Sequence, residues 1–207
     1  MAKIIKLYPD QPHSRSINQI IEVLNNDGLI IYPTDTVYTL GCSSNSAKAM
    51  LKIARLKGVK IEKLQCSIVC NDLSHLSTFI KPLSNNYFKL LKRALPGPFT
   101  FIFDAVNHLP PAFKGRKEIG IRIPNHKVPS TISHFLQAPL TSSSIHHIDE
   151  VLDYITDPEL IAEHYFNKVD LIIDSGIGGN FASTVVDMTK DQPLIIRKGL
   201  GDLEDFL

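Results

Sequence analysis

The sequence has no long apolar run, and this shortage excludes whole classes of protein. None of its apolar runs approaches the roughly 18 residues of a membrane-spanning helix. Lysines interrupt residues 1–6 before an apolar stretch of signal-peptide length develops. The sequence therefore predicts a protein without membrane contact that resides in the cytoplasm.

Cysteine and net charge are also scarce. The chain has three cysteines, which cannot all pair with one another, and Cys66 and Cys70 lie in an apolar run without the short spacing of a zinc ligand pair. Free thiols in a reducing compartment are the expectation. Lysine and arginine total 22 against 21 aspartates and glutamates, a net charge of +1 with histidine neutral. No global field draws the protein to nucleic acid, so an anion site must be local.

Three catalytic signatures are missing as well. No Gly-Lys-Ser/Thr follows the glycine-rich segment 174–184, so this segment is not a Walker A loop, although its backbone amides can approach a ligand. There is no Gly-x-Ser-x-Gly elbow and no His-Glu-x-x-His pattern, and the adjacent His146 and His147 are not spaced for one helix face. The sequence predicts no metal site and designates no catalytic nucleophile.

The sequence does contain alternating strand and helix patterns. Its 207 residues, 43% of them hydrophobic, suit one globular domain covering residues 1–207. Apolar and β-branched runs predict strands at 28–32, 66–70, 99–103, 119–123, 169–174, 183–188 and 194–197. Helical spacing predicts helices that contain residues 17–24, 47–54 and 88–95. Short connections between residues 173 and 194 favour hairpins, so the predicted fold is α/β, a mixed sheet flanked by helices.

Two polar segments follow predicted strands, where side chains of an open α/β sheet face a crevice. Residues 33–39 place hydroxyl groups and the carboxylate of Asp35 after the first strand. The Ser- and His-rich residues 141–148 are predicted to be a polar loop after a short strand at 138–140. The first segment has a second interpretation, a turn whose Asp and Thr side chains bond their own backbone. The residues alone leave both interpretations open.

A local positive field lies within one predicted helix and the loop after it, which suits phosphate groups. Its members are Lys48, Lys52, Arg55, Lys57, Lys60 and Lys63. A solvated helix face is the competing interpretation. Further basic residues occur within 89–93 and 114–117, and the three stretches line one surface if the fold brings them together.

Two arginines occur in apolar strand patterns. Isoleucines alternate through residues 119–123, so the guanidinium group of Arg122 emerges from the opposite face. Arg197 repeats the pattern at the end of its strand. A guanidinium group there needs an anionic partner, either the carboxylate or phosphate of a ligand or a structural ion pair with Asp174 or Asp187.

Five motifs, taken in order, resemble the YrdC/YciO family across nearly the whole chain. They are Pro-Thr-Asp-Thr-Val-Tyr at 33–38 with Leu-Gly at 40–41, Pro-Gly-Pro-Phe-Thr-Phe at 96–101, Ile-Gly-Ile-Arg-Ile-Pro at 119–124, Ser-Thr-Val-Val-Asp at 183–187, and Ile-Ile-Arg-Lys-Gly at 195–199. The resemblance implies a twisted α/β fold with a concave, positively lined cavity. It also implies the activity of the family's synthases, which join ATP, L-threonine and bicarbonate into threonylcarbamoyl-adenylate for N6-threonylcarbamoyladenosine modification of tRNA.

By position, the resemblance implies two groups of binding residues. The expected threonine site consists of Thr34, Thr36, Arg122, Ser142 and Thr184. The expected nucleotide site consists of Lys57, Ser144, Ser183 and Arg197. ATP is expected to enter as a substrate together with Mg²⁺, and no prosthetic group is implied. Because a carbamate oxygen is itself an adequate nucleophile, the protein's task is to position reactants and stabilise phosphate charge.

Three positions depart from the pattern of the family's synthases. The synthases carry Lys-x-Arg and Ser-x-Asn where this chain has Lys57-Gly58-Val59 and Ser144-Ile145-His146, and Thr39 stands in place of the usual glycine. Lys60 is a partial substitute at best, since an ammonium group lacks the planar two-pronged contact of arginine. The chain therefore resembles the YciO-like branch more than the dedicated synthases.

Two functions stay open at this point. One is a synthase weakened by Val59 and His146. The other is a non-catalytic or weakly catalytic module that binds double-stranded RNA or tRNA through Lys52, Arg55 and Lys60, although the near-neutral net charge limits nonspecific affinity. The sequence carries no signal for an oligomeric state.

Overall fold

The structure is a computed structural model that describes residues 3–8, 13–145 and 156–203. Within these residues, ten strands form one sheet accompanied by six helices. The strands are β1 (Lys3–Lys6), β2 (Ile30–Tyr32), β3 (Thr39–Gly41), β4 (Ser67–Val69), β5 (Phe99–Asp104), β6 (Glu118–Arg122), β7 (Leu140–Ser144), β8 (Leu171–Asp174), β9 (Thr184–Asp187) and β10 (Leu194–Arg197). The helices are α1 (Ser14–Asn25), α2 (Ala47–Leu56), α3 (Leu73–Ser77), α4 (Asn85–Ala94), α5 (Lys127–Leu136) and α6 (Pro158–Tyr165).

The sheet is mixed, as the sequence predicts. Its strand order is β1-β8-β2-β3-β7-β4-β6-β5-β9-β10. Strand β8 runs parallel to β1 and β2, β4 runs parallel to β6, and β5 runs parallel to β9. The other neighbours are antiparallel. Because β7 lies between β3 and β4, strands from both halves of the sequence meet near the centre of the sheet.

Residue alternation divides each strand between two layers. Phe99, Phe101 and Phe103 of β5 pack with α2 and α4 in the larger hydrophobic cluster. A smaller cluster, separate from the first, joins α1 and α5 to β1, β2 and β8. Among the described residues, this smaller cluster takes no member from β5, β6, β9 or β10. Thr100 of β5 and Gly120 and Arg122 of β6 alternate with residues of the larger cluster, and they carry the candidate site.

Helix α2 positions Lys57, one of the predicted nucleotide residues. It begins after Ser46, whose Oγ accepts a hydrogen bond of 2.9 Å from the backbone N–H of Ala49. Its apolar face is buried at Ala49, Met50, Ile53 and Ala54, the spacing of an amphipathic helix. Gly58 follows with a φ of +64°, a left-handed conformation that favours glycine and ends the helix. Lys57 is thereby held at the C-terminal end of α2.

All seven main strands predicted from the sequence coincide with strands of the structure. The hairpin prediction is correct for β9 and β10, which pair antiparallel. It is wrong for β8, which pairs with β1 and β2 instead of with β9. Strands β1 and β3 and helices α3, α5 and α6 are additional to the prediction. No helix in the described part of the chain is long and apolar enough to cross a membrane.

The prediction of a polar loop at 141–148 is wrong for its first four residues. They belong to β7, which pairs with β3 on one side and β4 on the other. Hydrogen bonding explains why hydroxyl residues are accepted there, since the Oγ1 of Thr141 accepts a bond of 2.8 Å from the backbone N–H of Cys42. Residues 146–148 lie outside the described residues.

Candidate active site

Small polar side chains lie on β7, β4 and β5, with Gly120 of β6 between the last two strands, and we call Ser142, Ser67 and Thr100 the polar row. Ser67 of β4 is opposite Ser142 of β7 and Gly120 of β6. Each member of the polar row is at most 9% exposed. A Cβ atom on Gly120 would lie 2.9 Å from the Oγ of Ser67. The absence of a side chain at Gly120 therefore keeps the row open between β4 and β5.

Arg122 ends β6 beside this row and is 5% exposed. Its Nη2 donates to the Oδ1 of Asp35 at 3.0 Å and to the Oγ1 of Thr36 at 2.9 Å. The other carboxylate oxygen of Asp35 accepts from the backbone N–H of Asn125 at 3.0 Å. Burial lowers the pKa of Arg122, and the negative charge of Asp35 opposes that effect. Of the two alternatives that the sequence leaves open for this arginine, the structural ion pair is present, with Asp35 as the partner instead of Asp174 or Asp187.

The predicted threonine-site residues Thr34 and Thr36 form a short hydrogen-bond chain that leads to Arg122. The hydroxyl of Thr34 donates to the carbonyl oxygen of Val37 at 2.8 Å, and its oxygen accepts from the backbone N–H of Thr36 at 3.2 Å. The two hydroxyl oxygens are 3.0 Å apart. The turn interpretation of this segment is thus correct, and the same local backbone bonds hold the hydroxyl group that contacts Arg122.

The glycine-rich segment packs directly on the Thr34–Thr36 turn. A Cβ atom on Gly179 would overlap the carbonyl oxygen of Thr36, and one on Gly178 would lie 2.7 Å from the ring of Tyr38. The hydroxyl of Tyr38 donates to the carbonyl oxygen of Gly176 at 2.7 Å. The glycines are therefore needed for close packing of two loops rather than for a Walker-type phosphate contact.

Arg197 of β10 and Ser183 form a second group of site residues. The Nη2 of Arg197 donates to the carbonyl oxygen of Ser183 at 2.7 Å, and the Oγ of Ser183 is 2.8 Å from the Oγ1 of Thr100. Burial lowers the pKa of Arg197, and the positive charge of Arg122 lowers it further. The structure thus joins the two predicted nucleotide residues Ser183 and Arg197 to the polar row.

Of these two arginines, only Arg122 has a carboxylate partner among the described residues. Asp35 contacts Arg122, whereas the hydrogen bonds of Arg197 go to the carbonyl and hydroxyl oxygens of Ser183. The Nε of Arg122 and the Nε of Arg197 are both buried without a hydrogen-bond partner in the described part of the chain. A buried donor without a partner is costly, and an anionic ligand group would satisfy it. The arrangement suits a carboxylate or a phosphate.

The predicted nucleotide residues Lys57 and Ser144 are also brought together. The Nζ of Lys57 donates to the carbonyl oxygen of Ser144 at 2.9 Å and to the Oγ of Ser143 at 3.2 Å. Burial lowers the pKa of the Lys57 ammonium group. In this structure Lys57 therefore joins the end of α2 to β7 through contacts with protein atoms.

The two remaining threonine-site predictions differ in their surroundings. The Oγ of Ser142 is 3.0 Å from the Oγ1 of Thr39, which also contacts the carbonyl oxygen of Ser143 at 2.9 Å. Thr184 lies opposite Phe99 in the pairing of β5 with β9 and is fully buried. Its Oγ1 accepts from the backbone N–H of Gly199 at 3.0 Å. The structure thus places Ser142 in the polar row and Thr184 in the layer of Phe99.

The predicted RNA-binding residues Lys52, Arg55 and Lys60 do not share one environment. The Nζ of Lys52 donates to the backbone carbonyl oxygen of Asp27 at 2.6 Å, whereas Arg55 and Lys60 are exposed. Val59, one of the departures from the synthase pattern, is 38% exposed near the end of α2. His146, the other departure on the nucleotide side, lies outside the described residues.

Sequence reasoning missed the roles of Asp35 and Thr100. Asp35 stood among the candidate polar residues, but its contact with Arg122 joins positions that are 87 residues apart. Thr100 had a usable signal, because it alternates with Phe99 and Phe101 in the way that Arg122 alternates with isoleucines. Both residues belong to the site that the arginines define.

Fold and site together define an α/β protein with a buried, arginine-containing site suited to anionic ligands. The Sua5/YciO/YrdC family model, described as telomere recombination, matches residues 22–199. The chain therefore belongs to this family, and the family resemblance found in the sequence is confirmed.

Two curated relatives illustrate the range of the family. The chain is 35% identical over 209 aligned residues to the uncharacterized protein YciO of Escherichia coli K12, and the match covers 100% of both chains. It is 26% identical over 175 residues to a threonylcarbamoyl-AMP synthase of Coxiella burnetii, which covers 84% of this chain and 92% of the synthase. The similarity to YciO is the greater of the two, as the altered motifs predict.

Solved structures agree with this relationship. The crystal structure of E. coli YciO matches the whole chain with a TM-score of 0.89 and 35% identity. The Sua5 protein of Pyrococcus abyssi, crystallised with L-threonine, matches with a TM-score of 0.83 and 25% identity. That match covers 95% of this chain and 57% of the Sua5 chain. The predicted α/β fold with a mixed sheet is therefore confirmed.

Proposed function

We propose that this protein is a threonylcarbamoyl-AMP synthase-like nucleotidyltransferase. It would use ATP, L-threonine and bicarbonate in the cytoplasm, for the N6-threonylcarbamoyladenosine modification of tRNA. The observation that carries the proposal is the neighbouring pair Arg122 and Arg197, each with a buried Nε that has no partner among the described residues. A reaction between an amino acid and a nucleotide needs two adjacent sites for anionic groups. The Coxiella synthase and the threonine-bound Sua5 structure support this assignment.

In the proposal, the carboxylate of L-threonine and the α-phosphate of ATP bind different residues. The carboxylate of L-threonine binds Arg122, beside Thr34 and Thr36, and Ser142 faces the amine from the polar row. The α-phosphate of ATP binds Arg197 and Ser183, because a guanidinium group matches phosphate oxygens well. Two further assignments rest on family position. These are Lys57 with Ser144 for the nucleotide and Thr184 for threonine, although Thr184 lies in the layer of Phe99 and would act only by holding Ser183 beside the ligand.

The proposed reaction forms two bonds in sequence. The threonine amine attacks the carbon of bicarbonate, water leaves, and a carbamate results. A carbamate oxygen then attacks the α-phosphorus of ATP, and the bond from that phosphorus to the bridging oxygen of pyrophosphate breaks. The products are threonylcarbamoyl-adenylate and pyrophosphate. Because the carbamate is the nucleophile, the side chains act by holding the two anionic reactants in contact and by stabilising charge on phosphate.

Magnesium belongs to the substrate in this proposal, since a nucleoside triphosphate ordinarily carries it. Within residues 3–8, 13–145 and 156–203, no three His, Cys, Asp or Glu side chains are grouped to hold a metal ion. Asp35 is the carboxylate that contacts Arg122, and both of its oxygens already accept hydrogen bonds from protein groups. The residues present therefore fit anionic substrates better than a resident metal.

Release of pyrophosphate tests the proposal. The wild-type protein should release it in the presence of Mg²⁺ only when ATP, L-threonine and bicarbonate are all supplied. Arg122→Ala should abolish the L-threonine-dependent release of pyrophosphate, whereas Arg55→Ala, which removes an exposed arginine, should not. Equal release with and without L-threonine, or unchanged activity in a folded Arg122→Ala variant, would contradict the proposal.

A second candidate function is binding of double-stranded RNA or tRNA, and one contact favours it. The Nη2 of Arg116 donates to the carbonyl oxygen of Leu64 at 2.9 Å, which brings two basic stretches of the sequence side by side. The exposed members of the two stretches are Arg55, Lys60, Lys63, Lys114 and Lys117. Lys48 and Lys52 are less available to phosphate groups. The ammonium group of Lys48 contacts the carboxylate of Asp27, and that of Lys52 donates to the backbone carbonyl oxygen of Asp27.

Salt-dependent RNA binding tests this second candidate. The double change Arg55→Glu with Lys60→Glu should weaken binding of a double-stranded RNA and reduce the salt slope by about one for each lost phosphate contact. Lys48→Glu is the control, because the ammonium group of Lys48 is 3.1 Å from the carboxylate of Asp27. Equal affinity and equal slope in the double variant would exclude this surface as an RNA site.

A further inference from the structure

Two acceptors from the turn at residues 34–36 contact the same nitrogen of Arg122. Asp35 and Thr36 both accept from Nη2, at 3.0 Å and 2.9 Å, while the buried Nε has no partner among the described residues. We infer that Asp35 is a positioning residue. Together with Thr36, it orients the guanidinium group so that its Nε–H remains available to the carboxylate of the substrate. This inference rests on the proposed function and names a role within the same site.

Proton positions in the turn support the inference. Thr34 has one hydroxyl proton, which it donates to the carbonyl oxygen of Val37. In the contact between the two threonine hydroxyls, Thr36 is therefore the donor and Thr34 the acceptor. The oxygen of Thr36 is left to accept from Arg122. Neither hydroxyl retains a proton for a ligand carboxylate, so Thr34 and Thr36 act through Arg122 instead of binding the carboxylate themselves.

Asp35 is itself held from a second direction. Its Oδ2 accepts from the backbone N–H of Asn125, three residues beyond Arg122, so the carboxylate bridges the turn and the end of β6. The ion pair is nearly excluded from water, with the side chains of Arg122 and Asp35 6% and 9% exposed. A carboxylate fixed in this way limits rotation of the guanidinium group. This fixation matters for an anion site because a preoriented donor loses less freedom on binding.

A competing role for Asp35 predicts the opposite sign. If Asp35 merely occupied the place of the substrate carboxylate, removing its charge would strengthen the binding of carboxylates to Arg122. If Asp35 positions Arg122, removing its charge weakens that binding. Asp35→Asn separates the two, because it keeps the shape of the side chain and removes the charge.

The test compares L-threonine with L-threoninamide, which lacks the carboxylate charge. The wild-type protein should prefer L-threonine, and Asp35→Asn should reduce that preference about tenfold, the effect of one charge-assisted hydrogen bond. Asp104→Asn is the matched control, because Asp104 is about half exposed and its nearest ammonium group is 4.0 Å away. A preference that is unchanged or increased in Asp35→Asn overturns the inference.

A second readout follows the Nε–H signal of Arg122 by ¹⁵N NMR during titration with acetate, a carboxylate without the rest of the substrate. Acetate should shift this signal in the wild-type protein, and the shift should be at least about threefold smaller in Asp35→Asn at equal acetate. Equal shifts in both proteins, or no shift in the wild type, overturn the inference. Failure to bind L-threonine and ATP with a normal acetate response would instead reject the proposed function and leave the role of Asp35 supported.

Thr36 gives the same test if Asp35→Asn does not fold. Thr36→Val keeps the volume and removes the second acceptor of Nη2, whereas Thr36→Ser keeps the hydroxyl group. The acetate response of Arg122 should fall in Thr36→Val and return in Thr36→Ser. Equal responses in the two variants would show that the turn does not position Arg122.

Discussion

Arg197 lies close enough to Arg122 for the positive charge of Arg122 to lower the pKa of the Arg197 guanidinium group, in addition to the effect of burial. Two like charges in a buried region repel each other, and Asp35 contacts only the first of them. An anionic ligand between or beside them relieves that repulsion. A chain with a net charge of only +1 therefore concentrates positive charge locally, which the proposed carboxylate and phosphate sites require.

The first prediction concerns Arg197 and ATP. Arg197→Ala should raise the Kd for ATP about tenfold or more, because it removes a charged donor from the phosphate site. Arg197→Lys should recover only part of the affinity, since an ammonium group lacks the planar pair of donors. Calorimetric titration with ATP measures both. Lys198→Ala, which removes the exposed neighbouring charge, is the control, and equal affinities in all four proteins would remove Arg197 from the site.

The second prediction concerns the stability of the Arg122–Asp35 pair. Arg122→Met alone should lower the free energy of unfolding by about 3 kcal/mol, because it leaves a buried carboxylate without its partner. Arg122→Met combined with Asp35→Leu should lower it less, since no buried charge is then left unpaired. Urea unfolding of the wild type, both single variants and the double variant measures the coupling. Additive effects of the two single changes would show that the pair does not act as a unit.

The third prediction is a pH dependence that originates at His126. The Nδ1 of His126 accepts from the backbone N–H of Val128 at 3.2 Å and caps α5, a contact that protonation abolishes. Burial lowers the pKa of His126 below its usual 6.5, and the negative charge of Asp35 opposes that effect. Between the lowered value and 6.5 the unfolded chain binds more protons than the folded one. This stabilising contribution is therefore present above 6.5 and is lost as the pH falls through the folded pKa.

Comparison with His126→Asn isolates that contribution. Asparagine also caps helices but does not titrate, so the variant should lose less stability than the wild type between about pH 7.5 and pH 5.5. Urea unfolding at the two pH values gives the difference. The other histidines are present in both proteins, so their contributions to the free energy of unfolding cancel in the comparison. Parallel loss of stability in the two proteins would contradict the assignment.

The fourth prediction concerns Lys57 at the end of α2. Lys57→Met should lower the free energy of unfolding by about 2 kcal/mol, because it leaves the carbonyl oxygen of Ser144 and the hydroxyl of Ser143 without their charged donor. Lys60→Met removes an exposed lysine from the same stretch and should change stability little. Thermal unfolding compares the two variants. Equal stability of both would show that the contact with β7 does not contribute to folding.

Local patterns in the sequence predict the direction of side chains well. The alternation of isoleucines in residues 119–123 correctly places Arg122 away from the isoleucine layer, because alternation is a property of a single strand. The partner of Arg122 depends on how β6 lies against the turn after β2. No local pattern contains that information, and the predicted partners Asp174 and Asp187 were therefore wrong.

The strand conformation of β7 also could not be predicted from its local sequence. Its Leu-Thr-Ser-Ser-Ser sequence has a weak strand pattern, yet neighbours on both sides supply backbone pairing. Arg197 adds an irregularity, since the register of β10 against β9 shifts between Ile195 and Arg197. Tertiary pairing, rather than local propensity, thus determines where Ser142, Ser144 and Arg197 stand in the site.

Incorporation of labelled L-threonine into an adenylate tests the central claim most directly. The wild-type protein is incubated with ATP, Mg²⁺ and labelled L-threonine, with and without bicarbonate, and the product is identified by mass spectrometry. Labelled threonylcarbamoyl-adenylate that forms only with bicarbonate is the result predicted from the paired arginine site. A folded protein that binds ATP or RNA but forms no such product under these conditions would contradict the synthase assignment.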